Sequence, residues 1–167
     1  AEYFASIAKY DYGAVASRID SSSAFGISVI RFAVDDIANT TQLIDAGGNI
    51  DYDRITTFSA QDYAFIFSYA RSMPMPGLTV GGSFKIIRRK VGDFAGAWGF
   101  GIDAGAQYQM GQWRFGAVMR DVTSTFNAWS YNLSQEMIDA FTQTGNEIPQ
   151  NGLELTMPRL IFCVSRT

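Results

Sequence analysis

Residues Ala97 to Gln109 read AWGFGIDAGAQYQ and alternate without a break. Trp98, Phe100, Ile102, Ala104, Ala106 and Tyr108 share one parity; Ala97, Gly99, Gly101, Asp103, Gly105, Gln107 and Gln109 share the other. A repeat of two is the repeat of a strand, whose successive side chains point to opposite faces. One face is thus an apolar stripe with aromatics at both ends, and the other holds nothing apolar larger than Ala. A soluble sheet keeps its apolar face inside and sets Lys and Glu on its wet face, where glycine is unfavourable. The opposite arrangement, an apolar stripe against lipid and a small polar face lining a lumen, belongs to a transmembrane barrel.

Other segments share the pattern. In Gln61 to Arg71, Tyr63, Phe65, Phe67 and Tyr69 oppose Asp62, Ala64, Ile66, Ser68 and Ala70. Leu78 to Arg89 sets Leu78, Val80, Phe84 and Ile86 against Thr79, Gly81, Ser83, Lys85 and Arg89, with Ile87 as the exception. Trp113 to Val122 sets Trp113, Phe115, Ala117 and Met119 against Arg114, Gly116, Val118 and Arg120. Phe25 to Phe32, Leu155 to Ser165 and a weakly marked Gly13 to Arg18 bring the expected strands to about seven. Pro158 removes a ladder donor and predicts a strand start or an edge. The connections alternate in length: Ile19–Ser23, Ser72–Gly77 and Met110–Gln112 are short, Val91–Gly96 is intermediate, and Ala33–Ala60 and Thr123–Glu154 are long. Short turns on one rim and long loops on the other characterise outer-membrane barrels. Within the last loop, Ser134 to Thr142 spaces Met137, Ile138 and Phe141 as a short helix would, with Asn132 or Ser134 as its N-cap, packed on or over the mouth.

Composition narrows the function. The 167 residues suit one domain or a piece of one, spanning 1–167. Thirteen Lys and Arg against sixteen Asp and Glu give a net charge of −3, so there is no basic excess for a phosphate backbone, and nucleic acid is not an expected partner. The chain has no His, which removes the usual general base and the commonest metal ligand together. A single Cys163 offers no internal disulfide and no zinc or iron–sulfur cluster. Charged residues are 17%, against roughly 25% in soluble domains. No apolar run approaches the roughly 18 to 20 residues of a membrane helix, and neither an initiator Met nor a signal peptide opens the chain. Strands are the remaining way across a bilayer.

By parity Asp62, Lys85, Arg89, Asp103, Arg114 and Arg120 face the lumen, and Phe65, Phe67, Phe84, Trp98, Phe100 and Phe115 face lipid. The charges read first as a structural network filling the interior, and second as a polar path, since buried charges must be paired in either case. Asp103, flanked by glycines on its face, is expected to accept hydrogen bonds from Arg114 or Arg120. Asp35, Asp36, Asp45, Asp51 and Asp53 in the first long loop fit no EF-hand spacing and read as a solvated acidic loop rather than a calcium site. Gly99 and Gly101 lie inside a strand and make no phosphate loop. Asn132-Leu133-Ser134 is a sequon by spelling only. No catalytic constellation is legible, so the expectation is a non-enzyme without metal or cofactor. A soluble eight-stranded lipid carrier of similar length is the competing architecture, against which the two long loops argue.

Three stretches carry a further signal: GGNIDYDRITTFSAQDYAFIFSYAR (Gly47 to Arg71), LTVGGSFKIIRRKVGDFAGAWGFGIDAGAQY (Leu78 to Tyr108) and WRFGAVMRDVTSTFNAW (Trp113 to Trp129). Their FxxxDYA opening (Phe58, Asp62, Tyr63, Ala64), VGGxFKII strand, GxGIDAG strand and WRFG partner, with the upstream SVIRFAVDDIANT (Ser28 to Thr40), resemble the PorV/PorQ group of Gram-negative outer-membrane proteins. That group is related to FadL-type fatty-acid channels and accompanies type IX secretion. The resemblance implies an antiparallel transmembrane barrel of about 14 strands, always even in a single bacterial chain. It further implies an outer-membrane location, outer-membrane lipid around the barrel, and a translocon or exported cargo at the long loops. About seven strands would leave two unpaired edges in lipid, so the chain is expected to represent part of a longer barrel. A FadL-type N-terminal plug is not recognisable in Ala1 to Tyr12, which counts against the alternative of a channel for small hydrophobic molecules.

Overall fold

The computed structural model describes residues 2–4, 7–43 and 49–166. Its strands are β1 (Glu2–Phe4), β2 (Ala8–Arg18), β3 (Ser23–Asn39), β4 (Thr56–Ser72), β5 (Leu78–Val91), β6 (Ala95–Met110), β7 (Trp113–Arg120), β8 (Thr125–Tyr131), β9 (Gly152–Thr156) and β10 (Arg159–Arg166), with one helix α1 (Gln135–Gln143). They form a single antiparallel sheet in the order β1-β2-β3-β4-β5-β6-β7-β10, with β8 pairing β6 and β9. The sheet is curled into a half-barrel.

Two apparent pairs of strands are each one strand with a break. β7 pairs with Ala104 to Met110 of β6, and β8 pairs with Ala95 to Phe100 of the same strand. Residues 121–124 between them bulge out: Asp121 and Ser124 take φ of 55° and 58°, while Val122 N–H still reaches the Ile102 carbonyl at 2.8 Å. β9 and β10 continue each other across Met157 and Pro158 along the free edge, where a residue without an N–H costs no ladder bond. Seven long strands therefore cross the sheet, at the seven segments expected from periodicity.

The long connections are shorter than expected. β3 runs on through a register shift between Val34 and Ile37, with Asp36 at φ 57°, so the first loop is 40–55 rather than Ala33–Ala60. The last is 132–151 rather than Thr123–Glu154, because β8 and the start of β9 occupy its flanks. The acidic residues placed in the first loop are accordingly dispersed. Asp35 pairs with Lys9 at 2.6 Å, Asp51 caps a single 3-10 turn at Tyr52–Arg54, and Asp45 lies outside the described residues. Among the described residues no three acidic or Cys side chains gather as a metal would require.

At the opposite rim the connections are tight turns. Gly77, at φ 82°, sits where a Cβ would lie 2.2 Å from the Gln109 carbonyl, a position open only to glycine. In the β2–β3 turn Asp20 accepts from the Ser22 and Ser23 amides at 2.7 and 2.8 Å and from both hydroxyls. Led by the Ser23 hydroxyl, these donors hold its carboxyl at about 2, below the ordinary 3.8.

Among the described residues the fully buried apolar ones are Ala33 and Ala97. A single layer has no second layer to enclose a core, so the sheet's two faces divide the work. Phe65, Phe67, Phe84, Trp98, Phe100 and Phe115 lie on the open face, Trp98 being 51% exposed, while Lys85, Asp121, Thr125 and Asn127 are each 7% exposed or less on the concave side. Polar groups, packed by curvature, form the closest thing to an interior.

Candidate functional site

The concave face is organised by the glycines of β6. Gly101 stands opposite Lys85, and Gly99 stands opposite both Ile87 and Asn127. A Cβ at Gly101 would lie 1.9 Å from Thr125 Oγ1 and 3.1 Å from Lys85 Cε; one at Gly99 would lie 2.2 Å from Asn127 Oδ1. Side chains from both neighbouring strands thus lie across the floor that the missing Cβ atoms leave open.

Over that floor Lys85 Nζ reaches Asp103 Oδ1 at 2.8 Å and Asp121 Oδ1 at 2.5 Å. Asp103 also accepts from the Asp121 amide at 2.8 Å, and the Thr125 hydroxyl donates to Asp121. The bulge at 121–124 makes this possible, since it turns Asp121 back over β6 instead of leaving it in the ladder. Both side chains of the Lys85–Asp121 pair are at least nine-tenths buried, so each charge depends on the other for compensation. Beside them Asn127 Oδ1 is buried and accepts no hydrogen bond.

A second network lies toward the long-loop rim. Arg89 bridges Asp62 at 3.3 Å and Glu154 at 3.1 Å, its guanidinium 5.7 Å from the Trp129 ring centre, and Trp129 Nε1 donates to the same Glu154 oxygen at 2.8 Å. β4, β5, β8 and β9 are tied together by it.

Of the six charges expected to act together, Lys85 joins Asp103 and Arg89 joins Asp62. Arg114 and Arg120 do not reach Asp103. Register explains the correction for Arg114, which stands opposite Gln109, six positions along β6 from Asp103, whereas Lys85 is one step diagonal from it on the adjacent strand. Arg120 ends β7 beside the Met119–Ala104 pair, where the bulge begins, and Asp103 is taken instead by Lys85 and the Asp121 amide. Asp121, Thr125, Asn127, Trp129 and Glu154 were missed. The alternation of TFNAWSY (Thr125 to Tyr131) was the available signal, hidden because the strand it continues is broken by a bulge.

At the rim, Ser134 caps α1 by accepting from the Met137 amide at 3.3 Å. The helix meets the first loop, where Gln42 donates to Glu136. Thr40, Gln42, Arg54, Glu136, Met137 and Phe141 line an open cavity of about 620 Å³ between them. The two long connections are thus joined into one surface.

The chain matches no protein-family model, no curated protein and no solved structure. Its geometry alone describes what the site can do. At the cluster the charges of Lys85, Asp103 and Asp121 are neutralised within hydrogen-bond distance and tie β5, β6 and the bulge after β7 together. Around this cluster the concave face is polar, and the face behind it carries Phe84, Trp98 and Phe100.

Proposed function

We propose that the chain is a β-barrel component of the Gram-negative outer membrane and serves a protein secretion system, binding cargo or a translocon through the loops 40–55 and 132–151. It is not an enzyme in this reading. The observation that carries it is the inverted polarity of the sheet: large apolar side chains on the open face, a buried ion cluster on the concave one. From Trp98 to Tyr108 the outward stripe of β6 spans ten steps of about 3.3 Å, and a strand tilted by about 40° converts that length to roughly 25 Å, the height of a barrel's apolar band. Phe65, Phe67, Phe84, Trp98, Phe100 and Phe115 meet lipid; Asp62, Lys85, Arg89, Asp103, Arg114 and Arg120 face the lumen. The secretion role rests on the resemblance to the PorV/PorQ group, with a full barrel of about 14 strands. The joined rim of α1 and the first loop is the surface offered to a protein partner.

Fractionation tests the placement: the protein should stay with outer membranes until detergent is added. Release by buffer alone would point to a soluble lipid carrier instead. Pull-down from solubilised outer membranes then tests the role, and recovery of a large translocon or an exported cargo is the expected result.

One observation favours a second reading, a channel for small hydrophobic molecules. Tyr12, Ile30 and Phe32 share the concave face, with Tyr12 61% exposed there, so part of the lumen wall is apolar. Loss of fatty-acid uptake on deletion, with secretion intact, would select it.

A further inference from the structure

We infer that Arg88 and Trp98 form a site on the lipid-facing surface for the phosphate group of a membrane lipid, on the leaflet beside the long loops. The inference rests on the membrane placement proposed above. Register sets Arg31, Tyr63, Arg88 and Trp98 side by side on consecutive strands, on the face of Phe65 and Phe100 and one row nearer the long-loop rim. Arg31 is already satisfied, donating to Asp11 at 2.9 Å and to the Tyr63 hydroxyl at 3.2 Å. Arg88 differs. Among the described residues no carboxylate lies within ion-pair distance of it; its Nη1 donates to the Ala97 carbonyl at 3.2 Å and its guanidinium sits 5.0 Å from the Trp98 ring centre. Stacking and one backbone bond hold the group in place and leave most of its five N–H donors free.

The surroundings fit an anion. A Cβ at Gly96 would lie 3.0 Å from Arg88 Nη1, so glycine there keeps the guanidinium accessible. Arg88, Lys90, Gly96, Trp98, Ser130 and Asn132 line a shallow cavity of about 340 Å³. Asp93 shares its rim, but its carboxylate is taken up by Lys90 at 3.0 Å. A planar guanidinium matches a phosphate with two parallel hydrogen bonds. The neighbouring row decides between a free anion and a lipid: Phe100 and Phe126 are paired directly below Trp98 and Ala128, giving acyl chains an apolar track that begins where the charge ends. A free phosphate would gain nothing from that track.

The test uses the protein extracted from membranes into a neutral maltoside, with native mass spectrometry counting bound lipid. The probes are phosphatidic acid, diacylglycerol with the same chains, and inorganic phosphate. Phosphatidic acid should bind at least about tenfold more tightly than diacylglycerol, and Arg88→Gln should remove about that factor, the scale of a lost charge-assisted hydrogen bond. Arg88→Lys should recover part of the loss, Gly96→Ala should weaken binding a few-fold without removing the charge, and Arg71→Gln at the opposite rim should bind as wild type does. Equal affinity of Arg88→Gln and wild type for phosphatidic acid would overturn the site. Competition by inorganic phosphate as strong as by the lipid would overturn the lipid assignment. Flotation of each variant with phosphatidylcholine vesicles, with and without phosphatidic acid, is the separate control: wild type that floats with neither refutes the membrane placement, whereas wild type that floats with both and binds phosphatidic acid no better than diacylglycerol refutes this site alone.

Discussion

Gly101 is where a single methyl group matters most. Gly101→Ala would drive its Cβ into Thr125 Oγ1, whereas a Cβ at Gly13 would meet nothing within 4 Å. Overpacking of a tight site costs typically about 1 to 3 kcal/mol, so in urea titrations of refolded protein Gly101→Ala should unfold earlier by that margin and Gly13→Ala should stay close to wild type. Asp103→Leu should cost more, on the order of 3 to 5 kcal/mol, because it leaves Lys85 buried with half its compensation and the Asp121 amide without its acceptor. Ala104→Leu on the open face should be nearly neutral in the same assay if that face meets lipid as proposed, since lipid accepts either side chain. Equal stability of Asp103→Leu and wild type would mean that the cluster is solvated. At this scale the sequence was half legible. Parity put Asp103 and Lys85 on one face, but a partner is chosen by register, which the alternating pattern does not encode; an arginine on the hairpin partner β7 looked as good as the lysine diagonal to Asp103 on β5.

Strands were the most legible elements, since period two survives wherever the chain stays extended. What the pattern concealed was the bulge at 121–124, which resets parity and made Thr125 to Tyr131 read as loop. Ser124 holds φ 58° there, a conformation that costs an L-residue on the order of 1 kcal/mol. Ser124→Gly should therefore raise the urea midpoint slightly, by up to that amount, and a fall would show that the hydroxyl contributes more than the strain costs. The β2–β3 turn makes a pH prediction. Asp20 titrates at about 2 when folded against 3.8 as a free group, so its contribution is complete above about pH 4 and fades as pH falls toward 2. The stability gap between wild type and Asp20→Ala, measured by urea titration, should close over that window and be flat above it; a gap that widens on acidification would mean that the serines bind the neutral acid.

Taken whole, the half-barrel presents two edges, β1–β2 on one side and β9–β10 on the other, whose backbone groups must be paired before either can rest in hydrocarbon. Placement can be measured directly. In a variant keeping Trp98 as its one tryptophan (Trp113→Phe, Trp129→Phe), lipids brominated near the headgroup end of the acyl chain should quench more strongly than lipids brominated near the methyl end, because Trp98 tops the apolar stripe. Reversed depth, or no quenching, would remove the belt from the interface. The interlocking floor of the concave face also reaches beyond one molecule. With Gly101 closed by Thr125 and Gly99 by Asn127 across the same strand pair, neither member of a pair is free to drift alone. In descendants of this chain, a side chain gained at 99 or 101 should be accompanied by a smaller residue at 127 or 125, so that two pairs of alignment columns change in step while the outward stripe between them exchanges Phe, Ile and Ala freely.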